Sequence, residues 1–100
     1  MVSEEKMPRN YMEKVVKETL MRLLKEREDI CKCEKCIMDM MAYALNRLPP
    51  KYMVTDRGYI FLKLKEIEVQ FQVDVLEAVL EAISVVSKRP EHCESSKNAG

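Results

Sequence analysis

The sequence predicts an all-α fold, a small domain of about four helices. Its 100 residues correspond to about one domain. They include only two Gly and four Pro, while 47% are hydrophobic and 34% are charged, and this composition favours long regular elements over loops. Apolar residues recur at helical spacing along most of the chain, which predicts amphipathic helices with one buried face each.

Charge and hydropathy exclude several classes of protein. Seventeen basic and seventeen acidic residues give a formal net charge of zero, so we expect no direct binding to duplex nucleic acid. No apolar run approaches the roughly 18 residues of a membrane span, and the N-terminus lacks a signal peptide's apolar centre. These patterns predict a cytoplasmic protein with no membrane partner. In that reducing compartment, cysteines are more often metal ligands or redox groups than structural disulfides.

The first predicted helix follows a flexible lead, residues 1–8, and opens a single domain that spans residues 9–93. Asn10 suits the N-cap, and Glu13 lies where a capping box places its acidic residue. The pattern predicts about five turns. The residues that form the apolar face are Met12, Val15, Val16, Thr19, Leu20, Leu23 and Leu24.

The second predicted helix begins near Cys36 and must end before Pro49, since proline cannot continue a helix. It is apolar almost all round, so we expect burial on most of its sides. Asp39 is assigned to its first turn, where a carboxylate interacts favourably with the helix dipole.

The rest of the chain is predicted to be helical, although the alternation over residues 59–67 also fits a strand. No Gly or Pro occurs from Tyr59 to Arg89, and a lone strand would lack a partner, so helix is preferred, with a bend near residues 66–70. Thr55 or Asp56 can cap its start. The last apolar stripe exceeds what three short helices cover, so part of it is expected to face a second subunit. That stripe comprises Val69, Val73, Leu76, Leu80, Ile83 and Val86. Residues 94–100 are expected to be a disordered tail.

Four cysteines form the main candidate site: Cys31, Cys33 and Cys36 in one cluster, and Cys93 beyond the last helix. Four thiolates are a common ligand set for structural zinc, and the second and third cysteines have the usual spacing of a ligand pair. At a helix start, the dipole would lower the pKa of Cys36. His92 is a reserve fourth ligand. Ordinary thiols or a Cys33–Cys36 disulfide, a redox dithiol and an iron–sulfur site are the alternatives.

Little in the sequence supports catalysis. The chain has one histidine, no Gly-rich phosphate loop and no evident pair of buried carboxylates, so we expect a protein that is not an enzyme.

The run CIMDMMAYALNRLPPKYMVTDRG, together with EVQFQVDVLEAVLEAI, resembles the late competence development protein family ComFB. The resemblance extends from about Asn10 to Cys93, and its most specific part is the string from Ala44 to Tyr52 with Asp39 before it. It implies a small all-helical, homodimeric cytoplasmic protein with a cysteine-bound zinc, associated with competence gene clusters. Some members resemble cyclic-dinucleotide receptors that regulate motility or DNA uptake.

The expected function is therefore that of a zinc-binding regulatory or interaction protein, linked to DNA uptake or signalling, with a regulatory protein as a further candidate partner. A receptor for cyclic di-GMP or cyclic di-AMP is the alternative, and a thiol redox protein is a weaker one. For a nucleotide, the candidate contacts are Arg47, Lys51, Tyr52 and Arg57, which offer cations for phosphates and a ring for a stacked base. The competing interpretation assigns Arg47 and Lys51 to helix ends and Tyr52 to the core.

Overall fold

A computed structural model of the protein describes residues 7–88. This range contains four helices and one two-stranded antiparallel ladder: β1 (Arg9–Asn10), α1 (Tyr11–Leu24), α2 (Glu34–Arg47), β2 (Tyr52–Met53), α3 (Asp56–Glu66) and α4 (Val69–Lys88). The predicted helical class is confirmed, with the small ladder as an addition. Cys93, His92, most of the predicted N-terminal lead and the whole predicted tail lie outside the described residues.

Helix α1 begins where the sequence predicts, because Asn10 caps it. The Asn10 Oδ1 atom accepts hydrogen bonds from the backbone N–H groups of Met12, at 3.1 Å, and Lys51, at 2.8 Å. One side chain thus caps the helix and fixes the segment after the double proline. The helix has 14 residues, about four turns instead of the predicted five. It ends early because the chain turns after Leu24 to bury Ile30.

The core lies where α2 packs against α4, with α1 covering both. The prediction that α2 is buried on most sides is wrong: Met38 is 61% exposed, and only one stripe of the helix is fully covered. That stripe consists of Cys36, Met40 and Ala44. Helices α4 and α1 leave one side of α2 uncovered, so Met38 and Ala42 are exposed there. Ile37, Met41 and Leu45 are half-buried at the edge of the core.

The segment predicted as helix over residues 59–67 is helical up to Glu66, and a break at Ile67 and Glu68 separates α3 from α4. This confirms the predicted bend. Thr55 is the N-cap of α3, since its Oγ1 atom accepts a hydrogen bond from the Gly58 N–H at 3.1 Å. Of the two predicted capping residues, Thr55 and Asp56, the structure thus selects Thr55.

Helix α4 buries a different face from the one its clearest stripe suggests. Of the stripe, Ile83 and Val86 are buried, whereas the four residues before them are exposed: Val69, Val73, Leu76 and Leu80. The face toward α2 carries Val75, Ala78, Val79 and Ala82 instead. Small alanine side chains allow α2 to approach closely, which decides the orientation of the helix.

Among residues 7–88, no helix combines the length and apolar character that crossing a membrane requires.

Candidate metal centre

Three cysteine side chains converge between α1 and α2. The Sγ atoms of Cys31, Cys33 and Cys36 all lie within 4.8 Å of one another. Zinc–sulfur bonds of about 2.3 Å in a tetrahedron place sulfur atoms about 3.8 Å apart, so small side-chain rotations would bring the three thiolates to bonding distance. The structure therefore brings together the three clustered cysteines predicted as metal ligands.

The start of α2 shapes this site. Cys33 is the N-cap of α2, with extended backbone angles, and its Sγ atom accepts a hydrogen bond from the Cys36 N–H at 3.4 Å. A sulfur atom thus occupies the place where an N-cap oxygen usually lies. The free N–H groups and positive end of the helix dipole favour negative charge there, as metal-bound thiolates would carry.

Burial sets the protonation of Cys36, contrary to expectation. The helix dipole was expected to lower the pKa of this thiol, but burial raises it to about 12, and hydrogen bonds with the Cys33 and Cys31 thiols add to the shift. The residue is 1% exposed, so forming a thiolate here would remove a charge from water at a high cost. As a free thiol, Cys36 stays protonated at neutral pH, and a bound cation would have to displace that proton.

The loop that carries Cys31 is anchored on its N-terminal side. Ile30, immediately before it, is buried in the core. Earlier in the loop, Arg27 donates two hydrogen bonds to the Asp29 carboxylate, each of 3.1 Å, and this contact lowers the pKa of Asp29. These contacts hold Cys31 over the start of α2, which favours a preformed site.

Asp39 does not take its predicted role at the first turn, where the acidic residue is Glu34. The Asp39 carboxylate accepts a hydrogen bond of 2.7 Å from Lys35 Nζ, one turn earlier on the same helix. Lys35 and Asp39 therefore form an ion pair on the surface of the helix.

Cys93 and His92, predicted to supply the fourth ligand, lie outside the described residues. Within residues 7–88, the donor set is three thiols, two of them half-buried and one buried. Three soft sulfur donors fit zinc, and a tetrahedral site needs one more ligand.

The candidate nucleotide contacts divide into two groups, and Arg47 stands apart from the others. Its guanidinium lies 4.5 Å from the centre of the Tyr43 ring and donates a 2.6 Å hydrogen bond to the Tyr43 hydroxyl. That hydroxyl donates to Glu81 of α4 at 2.9 Å, and Arg47 lies 3.6 Å from the same carboxylate. Arg47 therefore links α2 to α4. Its position four residues after Tyr43 was the one sequence signal for this contact.

A groove of about 280 Å³ beside Arg47 is acidic. Its lining includes Asp74, Glu77 and Glu81, all from one side of α4. Three carboxylates around one paired guanidinium repel a phosphate group, so this surface is unsuited to an anionic ligand.

The remaining candidate contacts lie around the β-ladder, which adds a cation that sequence reasoning missed. Arg9 pairs with Met53 and Asn10 with Tyr52 across the ladder, so Arg9 lies next to the segment that carries Lys51. No local sequence signal indicated this, because 42 positions separate Arg9 from Lys51 along the chain.

The start of α3 lies against the same ladder, since a Cβ atom added to Gly58 would be 3.6 Å from the Met53 Cβ atom. This places Arg57 on that side of the molecule. Tyr52 is 64% exposed, so the interpretation that it packs in the core is wrong.

Known proteins resemble this chain in both sequence and fold. Residues 9–90 match the sequence profile of the family described as late competence development protein ComFB. The competence protein ComFB of Bacillus subtilis (strain 168) is 30% identical over 81 residues, which cover 81% of this chain and 83% of that relative. A solved structure of the late competence protein ComFB from Bacillus subtilis aligns with a TM-score of 0.70 and 29% identity, covering 85% of this chain and 96% of that one. The resemblance inferred from the sequence is thereby confirmed, and the chain belongs to the late competence development protein ComFB family.

Proposed function

We propose that the protein is a non-enzymatic, zinc-binding regulatory or interaction protein that works as a homodimer in the cytoplasm, in a process linked to DNA uptake or signalling. The observation that carries the proposal is the convergence of three cysteine sulfur atoms at the start of α2. The link to competence rests on membership of the ComFB family.

The proposed role of zinc is structural. Cys31 and Cys33 precede α2, and Cys36 belongs to the stripe of α2 that packs in the core, so an ion bound by all three would join the loop to the core. Structural zinc contributes on the order of 10 kcal/mol to the folding of small domains. With Cys93 as the fourth ligand, the ion would also tie the end of the chain to this point. A redox role is less favourable, because a buried thiol with a raised pKa is a poor nucleophile.

Elemental analysis of the purified protein tests the metal, and about one zinc per chain is expected. Replacing both Cys33 and Cys36 by Ser should remove the zinc and reduce the helical circular dichroism signal. Lys32→Ser, in the same loop but without a ligand atom for zinc, is the matched control and should keep the metal. Metal-free protein that melts at the same temperature as the zinc-loaded form would refute the structural role.

A thiol reagent distinguishes the proposed zinc site from the alternative, a thiol redox protein. Bound thiolates should react only after a chelator removes the metal, whereas free redox thiols should react at once.

The homodimer is proposed from an apolar surface on α3 and α4, which we call the α3–α4 face. It consists of exposed apolar residues, namely Ile60, Phe61, Leu64, Ile67, Val69, Val73, Leu76 and Leu80. On α4 these residues are spaced by four, three and four positions, the heptad pattern of helices that pair side by side. Because the stripe carries no charge, a second copy related by two-fold symmetry can cover it with the same residues.

Native mass spectrometry, which reports subunit number and metal count together, tests the dimer. Leu80→Glu should shift the protein to monomer, since two buried carboxylates would face each other across the interface. Val54→Glu is the control, because Val54 is exposed but lies outside the α3–α4 face. An unchanged dimer in Leu80→Glu, with an intact helical signal, would reject this face as the interface.

A second candidate function, binding of a cyclic dinucleotide, is favoured by the surface at the β-ladder. Arg9, Lys51 and Arg57 form no ion pair with other residues in the range 7–88, so their charges are available to phosphates. Tyr52 presents an exposed ring on which a base can stack. Arg47 is left out of this proposed site because of its acidic surroundings.

Calorimetry with cyclic di-GMP and cyclic di-AMP tests this candidate. Binding should weaken at least about tenfold in Arg57→Gln and in Tyr52→Ala, since base stacking and a charged hydrogen bond each contribute more than about 1 kcal/mol. Arg47→Gln serves as the control and should bind normally. No heat with either nucleotide at near-millimolar concentration would remove the hypothesis.

A further inference from the structure

A separate cavity of about 290 Å³ opens between α1 and the junction of α3 with α4. It belongs neither to the cysteine site nor to the surface at the β-ladder. One part of its lining is apolar and comes from Val15, Phe71, Val75 and Leu76. For comparison, a cavity of about 150 Å³ is large enough to bind benzene, so this one has room for an apolar side chain and the atoms next to it.

The cavity also carries two opposite charges that do not neutralise each other. Arg22 from α1 and Glu66 from the end of α3 both line it. Arg22 forms no ion pair within residues 7–88, so the two groups are too far apart to pair with each other. A cation and an anion that share a cavity but remain separate are complementary to a ligand with both charges.

The position of Glu66 is well defined. Its carboxylate accepts a hydrogen bond from the Tyr11 hydroxyl, and Lys63 Nζ lies 3.9 Å from the same oxygen atom. Its backbone carbonyl accepts a 3.2 Å hydrogen bond from Gln72 Nε2, across the break between α3 and α4. Because these contacts already order the Glu66 side chain, a ligand that binds it costs less side-chain freedom, which favours binding.

We propose that this cavity binds a free α-amino acid with an apolar side chain. The ligand carboxylate pairs with the Arg22 guanidinium, whose fork of N–H donors matches a carboxylate. The ligand ammonium group pairs with Glu66, and the side chain packs against Phe71, Val75 and Leu76. The protein would then sense a small metabolite, a function beyond zinc binding and competence.

The site is independent of the metal centre but shares Leu76 with the α3–α4 face. A second copy on that face would lie at the edge of the cavity and narrow its opening. We therefore measure the number of subunits by native mass spectrometry alongside ligand binding. The two measurements show separately whether the protein forms a dimer and whether the cavity binds an amino acid.

Calorimetry tests the proposal on the 100-residue protein as purified, with its metal content measured, using L-leucine and L-phenylalanine as probes. Two derivatives of leucine serve as matched ligands: N-acetyl-L-leucine lacks the ammonium group, and L-leucinamide lacks the carboxylate. Saturable binding of the amino acids is expected, with affinity at least about tenfold lower for each derivative, because each derivative loses one of the two charged contacts with the protein.

Two variants address the two charges. Arg22→Gln should weaken leucine binding at least about tenfold and remove the preference over L-leucinamide, while Glu66→Gln should remove the preference over N-acetyl-L-leucine. Lys88→Gln, at an exposed lysine at the end of α4 that does not line the cavity, is the control and should bind leucine normally. Melting curves show whether each variant is folded, and the comparison of ligands on the unmodified protein does not depend on the variants.

Three results would overturn the proposal. They are no heat with any amino acid at millimolar concentration, equal binding of leucine and its two derivatives, and unchanged binding in Arg22→Gln.

Discussion

Replacing Tyr11 by Phe isolates one hydrogen bond that joins α1 to the end of α3. The Tyr11 side chain is 1% exposed, and its hydroxyl donates to the Glu66 carboxylate, 55 positions away in the sequence. Its ring meets the Tyr59 ring edge to face, at 5.6 Å between centroids and 80° between planes. Phe keeps the ring and its contact, so the substitution removes the hydroxyl alone.

The expected loss of stability follows from these contacts. A hydrogen bond to a charged group contributes about 1.5 to 3 kcal/mol. The Glu66 side chain is 29% exposed, so water can hydrate the carboxylate after the hydroxyl is removed, and the lower limit applies. A loss of about 1.5 kcal/mol corresponds to a fall in melting temperature of about 6 to 12 °C for a domain of this size.

The assay is thermal and urea unfolding of the protein as purified, followed by circular dichroism. Tyr52→Phe is the matched control, because its hydroxyl has no hydrogen-bond partner among residues 7–88, and its stability should change by less than about 0.5 kcal/mol. If Tyr11→Phe melts at the temperature of the unmodified protein, the bond to Glu66 does not hold α3 in place and the reasoning fails.

Two further predictions concern stability. Met40→Ala should lower the free energy of unfolding in urea by about 2 to 5 kcal/mol, because it leaves a cavity in the core. Met38→Ala, on the exposed side of the same helix, should change it by less than about 0.5 kcal/mol. Equal effects would mean that α2 is oriented differently. Burial and the bond to Glu66 raise the pKa of Tyr11, so the folded state holds this proton more tightly than the unfolded chain. The resulting stability is full below the unfolded pKa of about 10 and declines as pH rises above it, so Tyr11→Phe should lose less stability between about pH 8 and pH 11, as measured by urea midpoints. Parallel curves for the two proteins would contradict this.

Much of the secondary structure could be predicted because the signals for it are local. Asn10 and Thr55 cap the helices that follow them through atoms within three residues. The candidate metal cluster was equally local, since three cysteines in six residues must lie close together in any fold. Helix caps and the cysteine cluster depend on residues close together in the sequence and very little on the packing of distant segments.

The candidate ligand surfaces were less predictable because they depend on distant segments. Arg47 lies among acidic groups of α4, and only the packing of α2 on α4 brings Arg47 to them. Arg9 joins Lys51 through the β-ladder, and Arg22 joins Glu66 in one cavity, without any sequence spacing that indicates either arrangement.

The sequence by itself determined the helical class, most helix ends and the cysteine cluster, because capping, proline and cysteine spacing act over a few residues. Tertiary structure decided which face of α4 is buried, since α4 is apolar on two adjacent faces and the small residues Ala78 and Ala82 allow α2 to pack closely on one of them. It also decided the environment of Cys36, because burial in the core raises the pKa of this thiol, whereas local sequence alone suggested that the helix dipole lowers it.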